Sequence, residues 1–124
     1  MIACSPRKNF SIKIEKSDPI VGDSTGENPV HHSAVISFIY FDEGNYFISV
    51  DNIPMGKGKL KHYNSNCSGD CQLNELIESD TIKVEVNNYN PIQFCYDNRY
   101  GHIYLWGGGD SLRIQYTNEK YLFD

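Results

Sequence analysis

The feature that most constrains this chain is an alternation of apolar and polar residues with a period of two, repeated in short runs between turn signals. Successive side chains on a strand point to opposite faces, so this period marks a half-buried strand and not a helix. "NFSIKIE" sets Phe10, Ile12 and Ile14 against Ser11, Lys13 and Glu15. "DTIKVEVNN" turns Ile82, Val84 and Val86 inward in the same way. "AVISFIYFDEGNYFISVD" is apolar on both faces, with Ile36, Phe38, Tyr40 and Phe47 on one and Ile39, Phe41, Ile48 and Val50 on the other. That pattern predicts a central hairpin turning through Asp42, Glu43, Gly44 and Asn45. "GKGKLKHY" is weaker and basic, which suits a sheet edge, where lysines discourage stray pairing.

The last third, "PIQFCYDNRYGHIYLWGGGDSLRIQYT", predicts three strands in a meander. Pairing Phe94 with Ile103 and Ile92 with Leu105 leaves a loop over Asp97, Asn98, Arg99 and Tyr100. Pairing Leu105 with Leu112 and Ile103 with Ile114 leaves a second loop over Gly107 to Asp110. This register gathers Gln93, Cys95, His102, Tyr104, Trp106, Arg113 and Gln115 on one face, with Arg113 across from Tyr104 for a cation–π contact. "CQLNELIES" has Leu73, Leu76 and Ile77 at helical spacing, so the expectation allows at most one short helix near 71–78.

These runs predict an all-β domain, an antiparallel, immunoglobulin-like β-sandwich of about eight strands. At 124 residues there is one domain, expected over 9–124, preceded by an N-terminal tether over 1–8. A net charge of −5 argues against duplex nucleic acid, which needs a basic patch, and allows a basic protein partner. No run approaches the roughly 18 apolar residues of a membrane span.

For chemistry, the turn acids Asp42, Glu43, Asp70 and Asp110 find no partner that would make a catalytic pair, so no catalytic residue is expected. The glycines of "LWGGGDS" lead into a strand and not a helix, which fits a turn and not a phosphate cradle. Adjacent His31 and His32 point to opposite faces of an extended chain, and C-x3-C at Cys67 and Cys71 is not the usual zinc spacing, so neither metal nor cofactor is expected. In an oxidising compartment Cys67, Cys71 and Cys95 are disulfide candidates: Cys71 with Cys67 across Ser68-Gly69-Asp70 is favoured, and Cys71 with Cys95 is the alternative. Trp, Tyr and Arg are the types enriched at binding hot spots, which makes His102, Tyr104, Trp106 and Arg113, with the loop residues Asp97, Arg99 and Tyr100, candidates for partner binding. The competing reading of the Tyr104 and Trp106 face is a buried second layer.

Met1-Ile2-Ala3-Cys4 matches the end of a bacterial lipobox: a small residue before the cysteine and an apolar one before that, followed by the polar "SPRKN". With this fragment ahead of a short acidic β-domain, the chain resembles small lipoproteins of Gram-negative envelopes, most of all the immunity lipoproteins of type VI secretion systems. The resemblance implies lipidation at Cys4, a periplasmic or outer-membrane-anchored location, membrane attachment only through the lipid, and a monomer that neutralises a secreted toxin by contact. A cytoplasmic protein with incidental cysteines is the alternative address. The rival functions are a structural or adhesive β-module of a phage or surface fibre, which predicts homo-oligomers, and a carbohydrate binder using Tyr104 and Trp106.

Overall fold

The structure, a computed structural model, describes residues 8–17, 30–41, 43–60, 67–87, 89–108 and 110–119, without the side chains of 67–69. Among the described residues nine strands follow one another: β1 (Ser11–Lys16), β2 (Ala34–Ile39), β3 (Gly44–Val50), β4 (Ile53–Leu60), β5 (Cys67–Leu73), β6 (Thr81–Val86), β7 (Ile92–Cys95), β8 (His102–Gly108) and β9 (Ser111–Thr117). They form a first sheet in the order β1-β9-β8-β2-β5 and a second in the order β4-β3-β6-β7. The two sheets make a β-sandwich, and no helix occurs among the described residues.

Period-two patterning places the core as expected. Ile36, Phe38, Ile103, Leu105, Leu112 and Ile114 of the first sheet meet Tyr46, Ile48, Ile82, Val84, Val86, Ile92 and Phe94 of the second, all buried. At roughly 25 cal/mol per Å² of apolar surface removed from water, this cluster is the main source of stability. β4 is an edge strand, as its lysines suggest. The strands apolar on both faces, β2 and β3, are both interior to their sheets.

They are not a hairpin with each other, however. β2 belongs to the first sheet and β3 to the second, so the segment between them crosses the sandwich. At the crossing Tyr40 takes a left-handed backbone with φ 62°, an unusual conformation for a residue with a Cβ. The meander fails for the same reason: β7 pairs with β6, β8 pairs with β9 and β2, and residues 96–101 carry the chain from one sheet to the other. Gln93 and Cys95 therefore do not share a face with His102 and Tyr104. Nor is the first sheet purely antiparallel, since β1 runs parallel to β9 and β2 parallel to β8.

The β8–β9 hairpin keeps the expected faces but shifts by two residues, with Leu105 opposite Ile114 and Gly108 opposite Ser111. Gly107 and Gly108 extend the strand and do not form the turn; only two residues separate β8 from β9. The helix near 71–78 is replaced by β5, which pairs with β2. Just after it, Glu75 and Ser79 adopt left-handed backbones (φ 56° and 71°), and a helix cannot pass through them. Leu76 is buried there, while Ile77 faces solvent.

Five strands cover four. Tyr116 of β9 lies over β7, meeting the Phe94 ring edge-on at 6.2 Å and donating from its hydroxyl to the Cys95 carbonyl at 2.7 Å. β1, one strand farther out, overhangs the second sheet, so Ile12 and Ile14 lie 46% and 52% exposed despite facing inward. Before it, Phe10 stacks on Tyr89 at 3.8 Å, and the Lys8 carbonyl accepts from the Asn90 N–H at 2.8 Å.

Candidate protein-binding face

On the outward side of β8 the predicted residues form an aromatic row. Ring centroids step from His102 to Tyr104 to Trp106 at 6.1 Å each and on to Tyr40 at 6.2 Å. Because of the two-residue shift, Arg113 stands opposite Trp106 and Tyr104 stands opposite Gln115. The guanidinium lies 5.0 Å over the indole, and the expected contact with Tyr104 does not form. Trp106 Nε1 donates to Gln115 Oε1 at 2.9 Å. Tyr104 keeps only 3% of its surface, and Ser37 and Ile39 on the same side are buried too. Tyr104 is thus buried on the outer side of its sheet, outside the core cluster between the two sheets. Arg113 and Tyr40 are about half exposed, and His102 and Trp106 are partly exposed.

The predicted recognition loop is a clamp. Asp97 is buried, and its carboxylate accepts from the Arg99 N–H (3.1 Å), Arg99 Nε (3.0 Å), Arg99 Nη2 (2.7 Å) and Lys16 Nζ (3.0 Å). The Arg99 hydrogen bonds, joined by the Lys16 charge, hold its carboxyl well below the usual carboxylate range. Tyr100 is buried and donates its hydroxyl to the Ser17 carbonyl. The Asn118 amide accepts from the Gly101 N–H and donates to the Arg99 carbonyl, each at 2.8 Å. Asp97 and Tyr100 therefore fasten the crossover to the ends of β1 and β9; only the Arg99 side chain reaches water.

Cys4 and His62 lie outside the described residues. Cys71 and Cys95 are free thiols. Cys67 and Cys71 share one extended strand, four residues and so about 13 Å apart, which no disulfide spans. Cys71 sits on the first sheet's β5 edge beside β4, and Cys95 on the β7 edge at the opposite side of the sandwich, so that pairing fails as well. Among the described residues, no three His, Cys, Asp or Glu side chains converge on a metal position.

A face that the sequence reading did not single out lies on the outer side of the second sheet. β4 alternates Gly56, Lys57, Gly58 and Lys59. Its glycines point inward because there is no room for a Cβ: one at Gly58 would meet the Tyr46 ring at 2.6 Å, and one at Gly56 would meet Cys71 Sγ at 2.4 Å. The lysines consequently point out. The register of β3 with β4 shifts by a bulge between Ile48 and Ser49, which leaves Met55 of β4 without a partner on β3. Phe47 stands between Lys57 and Glu85 across the sheet, 52% exposed, with Met55 41% exposed beside it. Together with Pro54, Ser49, Asn52 and Lys83 they line an open groove of about 630 Å³. Its apolar floor is bordered by two cations, Lys57 and Lys83, against Glu85, on a chain whose net charge is −5. The signal was present in "GKGKL", but Phe47 read as a core residue of the assumed hairpin.

Comparison with protein-family models, with curated proteins and with solved structures found no match to this chain.

Proposed function

We propose that this chain is a non-enzymatic binding protein that acts by contact through the outer face of its second sheet, and that blocking a secreted toxin at the cell envelope is its biological form. The observation that carries the reading is the Phe47–Met55 groove. A large apolar side chain left half exposed at the centre of a sheet, flanked by two lysines on an acidic protein, suits a partner segment that brings an apolar anchor beside carboxylates. The lipobox fragment ending at Cys4 supports the envelope address, and the rigid sandwich supports inhibition by occlusion, which needs no bond-making.

The test is co-expression with the secreted effector encoded immediately upstream. The wild-type chain restores growth, and Phe47→Glu weakens binding by about thirty-fold or more, the scale of a hot-spot loss. Arg113→Ala, on the opposite sheet, leaves binding unchanged. Rescue that survives Phe47→Glu, or no effector at that position, overturns the reading.

A further inference from the structure

We infer that β1 is a self-association edge and that two copies of this chain pair through it, antiparallel and centred on Ile14, to join their first sheets into one. The inference is independent of the proposed function, because β1 lies on the first sheet, away from the groove, and it replaces the monomer expected from the sequence.

Four strands end the two sheets: β1, β5, β4 and β7. Three of them resist pairing. β4 carries Pro54, a bulge and the like charges Lys57 and Lys59; β7 is four residues long and follows Pro91; β5 contains Gly69, and its register with β2 shifts between Phe38 and Ile39. β1 has six regular residues with no proline, glycine or bulge. Its free side is also defined. Ser11 N–H donates to the Asp110 carbonyl and Ser17 N–H to the Tyr116 carbonyl, so the odd residues bond to β9. The N–H and C=O groups of Ile12, Ile14 and Lys16 then point away from the sheet, and among the described residues nothing meets them.

Those open groups restrict the register. A second β1 running antiparallel bonds only where even residues oppose even residues, which leaves alignments differing by one step. Placing Ile12 opposite Ile14 sets Lys13 against Lys13 of the other copy, and placing Ile14 opposite Lys16 sets Glu15 against Glu15. Centring on Ile14 alone sets Lys13 across from Glu15 twice, Ile14 against Ile14, and Ile12 against Lys16. Both charges already point outward, with Lys13 Nζ 3.1 Å from Glu15 Oε1 within the strand and the Lys13 side chain 75% exposed. The overhanging isoleucines of both copies meet beneath the joined sheet. This interface is isologous and closes at two copies, which separates it from a fibre-forming contact.

Sedimentation of the full chain tests it. The wild type is a concentration-dependent dimer. Lys13→Glu and Glu15→Lys each place like charges opposite one another and weaken association by about ten-fold or more. Mixed together, the two single variants form a heterodimer, since each then supplies the charge the other lacks, and the double variant K13E/E15K dimerises again. Ile14→Pro, which removes the central outward N–H and no bond to β9, is monomeric. A wild type that is monomeric throughout, or single variants that stay apart on mixing, overturns the inference.

Discussion

Asp97 accepts four hydrogen bonds, three from Arg99 and one from Lys16, which converts a buried charge from a cost into a fastening. Because both cations are about half exposed and can return to water, Asp97→Asn costs about 2 kcal/mol at neutral pH, not the full price of an orphaned ion pair. Its pH dependence has a definite sign. The folded carboxyl titrates below its unfolded value of about 4, so its contribution is complete above that value and is lost as pH falls through the folded one. Urea unfolding at a series of pH values will show the gap between wild type and Asp97→Asn narrowing below about pH 4. Tyr96 behaves oppositely. Burial, assisted by Glu78 and Asp97, pushes its phenol up to about 12, and its hydroxyl has no hydrogen-bond partner among the described residues. Tyr96→Phe is therefore neutral or stabilising by up to about 1 kcal/mol at pH 7. It also removes the part of the alkaline destabilisation that sets in as the unfolded tyrosine ionises near pH 10 while the folded one stays protonated.

At the scale of elements, alternation located the strands and their inward residues, and its power ended there. Periodicity states which side of a strand is buried but not which strand lies beside it, so Asp42 to Asn45 and Asp97 to Tyr100 read as hairpin turns, whereas the chain changes sheets between β2 and β3 and between β7 and β8, and Gly44 and Asn45 already belong to β3. The β8–β9 register slipped by two for a related reason: a two-residue shift leaves every face unchanged, and only the turn chemistry at Gly108 to Ser111 distinguishes the alternatives. The slip is what put Arg113 over the wrong ring. The lysine edge was legible; the groove beside it was not, because a bulge and two space-saving glycines create it. Gly58→Val will destabilise the chain by about 1–3 kcal/mol, since its side chain must displace the Tyr46 ring, and thermal unfolding measures this directly. Alkylation without reductant will modify both Cys71 and Cys95. Cys95, exposed on its edge, reacts first, because burial pushes the Cys71 thiol up.

Across the whole molecule, the two sheets are unequal, and the surplus strand lies far from its neighbour in the chain. Ser11 of β1 pairs in register with Ser111 of β9, so once translated β1 waits for a neighbour made a hundred residues later. At ordinary ribosomal speeds of about 5–20 residues per second that delay is roughly 5 to 20 s. Through that interval Ile12 and Ile14 have neither a ladder to join nor a layer beneath them, and the hazard they present belongs to the nascent chain before it belongs to the finished one.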